Sequence, residues 1–188
     1  PYFRTKDSAA ELAAEGIGLV VSEFANSNVD FPAMPKESYA LVAERDERVV
    51  MDVGGDDRGA LALGRYVPDI REEGDYEMLA VVNASRPLTR TVGDTVDVLR
   101  EIECACALPF TGIVNNTNLG CETRAEDVQR SVDYAAGIAR RMGISVRFTC
   151  AETHVAKSLD GCVENVFALR LQKLYYQLSE VTNGKTDI

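Results

Sequence analysis

The length, composition and charge of this chain bound its class: 188 residues, 46% of them hydrophobic and 27% charged, suit one folded domain spanning residues 1–188. The formal net charge of -10 argues against direct binding to nucleic acid or to an anionic membrane, because both attract an excess of lysine and arginine. No apolar run approaches the roughly 20 residues that span a bilayer, so we expect a cytoplasmic protein with no membrane partner.

The N-terminal part of the chain predicts a short helix followed by an irregular segment. Ser8-x-x-Glu11 is a capping-box pattern, and Gly16 follows it where a helix would end. Leu19-Val20-Val21 indicates a short strand, but the next residues are rich in Asn and Pro. We therefore expect residues 17–38 to be irregular.

Short apolar runs alternate with helical patterns along the rest of the chain. The runs that predict strands are Val49–Val53, Met78–Asn83, Gly112–Asn115 and Ser145–Thr149. The spacing of apolar residues predicts helices over Arg58–Arg71, Gly93–Ala107, Arg124–Met142 and Val163–Val181. This alternation predicts an α/β fold in three layers, with a parallel sheet covered by helices on both faces. Thr123-x-x-Glu126 and Gly143 mark the expected ends of the third helix.

The residues that end the predicted strands are the candidates for a ligand site. They are Asp52, Asn83, Asn115 and Glu152. Right-handed crossovers bring the carboxyl ends of parallel strands to one edge of the sheet, and ligands bind beyond that edge. Asp52 could hold Mg²⁺ directly or through a water molecule bound to the ion. Gly54 and Gly55 have no side chains, so a phosphate could reach their backbone N–H groups.

Several neighbouring side chains allow two interpretations each. Asp56 and Asp57 could contact a metal ion, but capping of the following helix is the better interpretation of both. The carboxamide of Asn115 could read a purine edge or form a turn. Arg86 could reach a phosphate or a partner, although an exposed loop arginine is favoured, and His154 is favoured as a partly exposed loop residue.

The cysteine pattern argues against a metal centre and against a disulfide framework. The five cysteines include no C-x-x-C spacing; they are Cys104, Cys106, Cys121, Cys150 and Cys162. We expect reduced, half-buried thiols. His154 is the only histidine, so a catalytic Ser-His-Asp or Cys-His arrangement would need it.

These residues together resemble the P-loop ATPases of the MinD, ParA and cobyrinate-synthase-like group. Asp52-Val53-Gly54-Gly55 is similar to their Walker B segment, and Gly112–Asn115 is similar to the strand whose last Asn contacts adenine. Pro1-Tyr2-Phe3-Arg4 matches the end of an Asp-rich strand expected in related proteins. The resemblance follows the element order of nearly the whole chain. It implies that Asp52 organises Mg²⁺, that Gly55 faces the γ-phosphate of ATP, and that Asn115 selects the base.

The sequence departs from that group at the phosphate cradle, because the 188 residues contain no G-x-x-x-x-G-K-[ST] motif. The resemblance then implies the C-terminal two-thirds of a nucleotide-binding domain that lacks its N-terminal P-loop unit. The parent would couple ATP binding and hydrolysis to partner association or to an accessory biosynthetic step. The isolated chain would bind ATP poorly and would not hydrolyse it, and its open sheet edge could form a homodimer.

One alternative belongs to another class of protein. The chain could be a non-catalytic α/β protein-interaction module that has lost nucleotide binding. A Rossmann oxidoreductase or methyltransferase is disfavoured, because no G-x-G-x-x-G follows a predicted strand.

Overall fold

The computed structural model describes residues 8–21, 36–43 and 48–170 of the chain. The chain divides into two compact units, formed by residues 1–38 with 171–188 and by residues 39–170. In the first unit, α1 (Ala9–Ala14) begins after Ser8 and ends before Gly16, whose φ of 75° suits a helix stop. Both predicted helix ends are confirmed, although the Ser8 side chain makes no capping hydrogen bond.

The predicted irregular segment is only partly described. Residues 17–21 have no regular structure, so the strand indicated at 19–21 does not form, and residues 22–35 lie outside the described residues. The helix α2 (Lys36–Ala43) begins two residues before residue 38, the expected end of the irregular segment. Its Tyr39 ring stacks on Tyr66 with ring centroids 4.8 Å apart.

A four-stranded parallel sheet forms the centre of the second unit. Its strands lie side by side in sequence order: β1 (Leu79–Val82), β2 (Gly112–Asn115), β3 (Ser145–Glu152) and β4 (Val166–Leu169). Parallel neighbours require crossover connections, and helices supply them here. The predicted α/β class and parallel sheet are therefore confirmed.

Five helices accompany this sheet in the described part of the second unit. They are α3 (Asp57–Leu63), α4 (Val67–Glu73), α5 (Val92–Cys106), α6 (Ala125–Met142) and α7 (Thr153–Ser158). The prediction of one helix over Arg58–Arg71 is wrong, because the segment forms two. Pro68 lies at the start of α4, where its missing N–H costs nothing and where a new helix readily begins.

The main core lies between the sheet and the helices α5 and α6. Ala80 and Ile113 are partners in neighbouring strands, and both are buried against this layer together with Ile138 of α6. A smaller cluster joins α6 and α7 to β3 and β4 on the same face. The other face includes Val81 and Phe167, which are 64% and 55% exposed.

Two more predictions, one of a strand and one of a helix, are wrong. Val49–Val53 forms no strand: Met51 packs on the main core, but Val50 is 96% exposed. A strand needs a ladder partner, which high β-propensity does not supply. The helix predicted over Val163–Val181 is replaced by β4 at Val166–Leu169, and its remainder from residue 171 lies outside the described residues.

The predicted capping box of α6 is displaced by one residue. The N-cap is Arg124, whose backbone N–H donates to the Asp127 carboxylate at 3.0 Å. The Thr123 hydroxyl instead donates to the Gly120 carbonyl at 2.6 Å and stabilises the preceding turn. Gly143 ends the helix with φ of 70°, as predicted.

Candidate functional site

The residues predicted to hold magnesium and phosphate lie in one exposed turn that leads into α3. Asp52, Gly54 and Gly55 are all exposed, and none belongs to the sheet. Asp56 is the N-cap of α3, and its Oδ1 accepts a hydrogen bond from the Gly59 N–H at 2.9 Å. The capping interpretation of Asp56 is therefore confirmed.

The glycines of this turn have different surroundings. A Cβ on Gly59 would lie 2.5 Å from the carbonyl oxygen of Gly54, so the backbone at these two positions is in close contact. Among the described residues, a Cβ on Gly55 would meet no atom within 4 Å beyond its chain neighbours, and the φ of Gly55 lies outside the left-handed region. Neither crowding by these residues nor backbone conformation therefore requires a glycine at position 55.

Asn115 ends β2 as predicted, but its side chain is fully buried. Its Nδ2 donates to the Ser131 hydroxyl at 2.8 Å and lies 3.5 Å from the Ser131 carbonyl oxygen. Its Oδ1 accepts from the Thr117 N–H at 3.3 Å. The carboxamide thus links β2 to α6 and to the following loop. Selection of the nucleotide base by Asn115 stays a prediction. To contact a base, the Asn115 carboxamide would have to replace its hydrogen bonds with Ser131 and Thr117 by hydrogen bonds to the base.

The loops after β1 and β2 are joined at the carboxyl edge of the sheet. The Ala84 N–H donates to the Thr117 hydroxyl at 3.1 Å, and the Asn83 Nδ2 donates to the Asn118 carbonyl at 3.4 Å. Asn118 also accepts from the Gly120 N–H at 3.0 Å, as a turn-forming asparagine does. The sequence signals turns here, but it did not identify Thr117 as the link between them.

A second buried contact fixes the loop after β1 against α6, and sequence reasoning missed it. The Tyr134 hydroxyl donates to the Thr89 carbonyl at 2.7 Å and lies 2.9 Å from the Thr95 hydroxyl. Burial raises the pKa of Tyr134, so the phenol keeps its proton. An isolated tyrosine in a helical pattern offers no signal for such a contact.

The remaining candidates are Arg86, Glu152 and His154. Arg86 is exposed and precedes a short 3₁₀ turn. Glu152 ends β3, and one of its carboxylate oxygens lies 3.1 Å from the Nδ1 of His154, whose side chain is 64% exposed. The exposure predicted for His154 is confirmed, but the residue lies in the first turn of α7 and not in a loop.

The cysteines are free thiols, as predicted, although Cys104, Cys121 and Cys162 are exposed. Burial raises the pKa of the Cys150 thiol. Within residues 8–21, 36–43 and 48–170, no three His, Cys, Asp or Glu side chains converge on a point where they could hold a metal ion. None of the helices in the same ranges combines the length and apolar character needed to cross a membrane.

The described part of the chain defines an α/β protein whose parallel sheet ends in hydrogen-bonded polar loops. Comparisons with protein-family models, with curated proteins and with solved structures found no match. Membership of the MinD and ParA group is therefore a proposal.

Proposed function

We propose that this chain forms part of an ATP-binding domain similar to those of the MinD, ParA and cobyrinate-synthase-like group. In this proposal Asp52 organises Mg²⁺, Gly54 and Gly55 face the terminal phosphates, and Asn115 selects the nucleotide base. The observation that carries the proposal is the open space at Gly55, because the part of the chain that the structure describes gives no reason for a glycine there. A glycine at such a position allows a ligand to approach the backbone closely.

The chemistry of the turn favours a nucleotide only together with a cation. Asp52 and Asp56 are both exposed, and their carboxylates would repel a triphosphate. Magnesium bound through a carboxylate and the phosphate oxygens offsets this repulsion. We therefore expect the site to take Mg·ATP and not free ATP.

The open edge of β1 supports the proposal that the complete domain contains an additional strand. The carbonyls of Met78 and Val82 accept hydrogen bonds from the β2 side, so the backbone groups of Leu79 and Val81 point away from β2. Among the described residues no strand pairs with this edge. A parallel strand from a P-loop unit would satisfy it, and helices on the exposed face would complete a three-layer fold.

The parent protein would couple ATP binding and hydrolysis to partner association or to an accessory biosynthetic step. The phosphate cradle would have to come from polypeptide outside these residues. Without it, about three charge-assisted hydrogen bonds of ~2 kcal/mol each are missing, which lowers the affinity for ATP by about four decades. The isolated chain is therefore expected to bind ATP weakly and not to hydrolyse it.

The test is a calorimetric titration of Mg·ATP into the chain extended along its natural reading frame through a P-loop unit. Gly55→Ala should weaken binding by at least about tenfold, because the added methyl occupies the ligand's space. Gly18→Ala is the matched control, since its Cβ would also meet no atom of the described residues within 4 Å and its φ is also outside the left-handed region. Equal affinities for the two variants would contradict the proposal.

A second candidate is the non-catalytic interaction module, and the burial of Asn115 favours it. All the hydrogen-bonding groups that the base would need are engaged with Ser131 and Thr117. This candidate predicts that the extended chain folds, by circular dichroism, and yet releases no heat when Mg·ATP is added.

A further inference from the structure

The outer edge of β4 has unpaired backbone groups in the described part of the chain. The Thr149 N–H donates to the Asn165 carbonyl, and Thr149 is the ladder partner of Val166. In a parallel ladder this pattern directs the N–H and C=O groups of Asn165, Phe167 and Leu169 towards β3. The backbone groups of Val166 and Ala168 therefore point away from the sheet.

A hollow of about 550 Å³ lies beside this edge, between β4 and α7. Val166 and Ala168 line one side, and Thr153, Lys157 and Asp160 are among the residues that line the other. The hollow therefore lies against the two residues of β4 whose backbone groups point away from β3. Such an edge is a template for an added strand.

The side chains of β4 do not protect the edge from pairing. The strand reads Val166-Phe167-Ala168-Leu169, with no charged residue and no proline, and Phe167 is 55% exposed. Natural edge strands are usually blunted by lysine, proline or a bulge. The composition of β4 therefore indicates that its outer edge is covered in the functional protein.

We propose that β4 pairs antiparallel with β4 of a second copy of this chain, so that two four-stranded sheets join into one. The outward groups fix the register: Val166 of each copy exchanges hydrogen bonds with Ala168 of the other. Phe167 then lies opposite Phe167 of the second copy, as a non-hydrogen-bonded pair whose side chains come closest.

The same register is complementary in charge and in aromatic character. It brings the exposed Arg170 at one end of the strand towards the exposed Glu164 of the second copy, and the two-fold axis repeats this pair. Lys157 and Asp160 line the α7 side of the hollow, so each copy also has one charge of each sign beside this edge. A strand identical to β4 therefore suits the edge better than an unrelated peptide, because Arg170 and Glu164 of one copy lie opposite Glu164 and Arg170 of the other.

The aromatic side chains add to the proposed interface. Phe167 packs on Phe148 with ring centroids 5.5 Å apart, so its ring is already held on the sheet in one copy. Pairing two copies through Phe167 makes a row of four rings, and aromatic cross-strand pairs stabilise antiparallel strands.

Sedimentation equilibrium of the full chain from micromolar to millimolar concentration tests the proposal. Ala168→Pro removes an outward N–H and no bond to β3, and prolines are tolerated at such edge positions. It should raise the dimer dissociation constant by about tenfold to about a hundredfold, because the two-fold axis removes the donor twice. The matched control is Val81→Pro, which removes an outward N–H at the opposite edge of the sheet and should leave the dimer unchanged.

A cross-link provides a measurement that does not depend on the proline variant folding. Phe167→Cys, in a chain whose Cys104, Cys121 and Cys162 are replaced by Ser and whose Cys150, the β3 partner of residue 167, is replaced by Ala, should form a disulfide-linked dimer on mild oxidation. Val81→Cys in the same background should not. A chain that stays monomeric at all concentrations would overturn the proposal. So would a dimer that responds to Val81→Pro, or one in which Phe167→Cys does not cross-link.

Discussion

Replacing Asn115 with alanine should destabilise the fold whether or not a nucleotide binds. The side chain has no exposed surface, and its two well-formed hydrogen bonds, to the Ser131 hydroxyl and from the Thr117 N–H, contribute about 1 kcal/mol each. Asn115→Ala also leaves a buried Thr117 N–H without its acceptor and opens a small cavity. We therefore expect the free energy of unfolding to fall by about 3 kcal/mol.

Urea unfolding followed by far-ultraviolet circular dichroism measures this loss. Ser131→Ala removes the same contact from the other side, so the double variant should show a coupling energy of about 1 kcal/mol. The Ser131 hydroxyl keeps its bond to the Val128 carbonyl at 2.7 Å when Asn115 is removed, which isolates the pair. Asn116→Ala is the neighbouring control. A loss below about 0.5 kcal/mol for Asn115→Ala, or no coupling, would refute this account of the buried amide.

Three further predictions concern particular backbone and charge contacts. Ala107 ends α5 with φ of 57°, so Ala107→Gly should raise the free energy of unfolding by about 1 kcal/mol; no gain in a urea titration would contradict this. Gly59→Ala should cost about 1 to about 2 kcal/mol in the same assay because of its contact with Gly54, whereas Gly55→Ala should change the stability by less than about 0.5 kcal/mol. At the start of α6, the backbone N–H of Arg124 donates to the Asp127 carboxylate and lowers the pKa of Asp127 from 3.8. The contribution of this carboxylate to stability is therefore present above that pH and lost as the pH falls further. The stability difference between the wild type and Asp127→Asn should therefore close in acid, and a gap independent of pH would refute this.

Strong local signals made the centre of the fold predictable. Gly112–Asn115 is a strand with the predicted bounds, and the helix that ends at Gly143 was predicted to within one residue at each end. An apolar run flanked by turn residues identifies a buried strand, and a glycine after a long amphipathic pattern identifies the end of a helix.

The errors arose where tertiary partners decide the structure. Val166–Leu169 is a run of four apolar residues, which periodicity cannot assign to a helix or to a strand. Asn165, just before the strand, has a φ of 52°, in the left-handed region that asparagine adopts more readily than most residues. Val49–Val53 has the composition of a strand, but it has no ladder partner among the described residues.

The sequence predicted which positions belong to the candidate site, but it did not predict most of the contacts that their side chains make. The sequence identified the capping role of Asp56 because a carboxylate before a helix has one dominant use. It could not reveal that Asn115 is buried against Ser131, because that contact depends on how α6 packs on the sheet. The direction of a side chain at a strand end depends on its neighbours in space.

The most direct test of the nucleotide site compares ATP binding with and without Mg²⁺ in the chain extended through a P-loop unit. Mg²⁺ should strengthen binding, and Asp52→Asn should remove this dependence. Asp97→Asn, which changes an exposed carboxylate on α5, should retain it. Magnesium-dependent binding that survives Asp52→Asn unchanged would contradict the role of Asp52 in organising Mg²⁺.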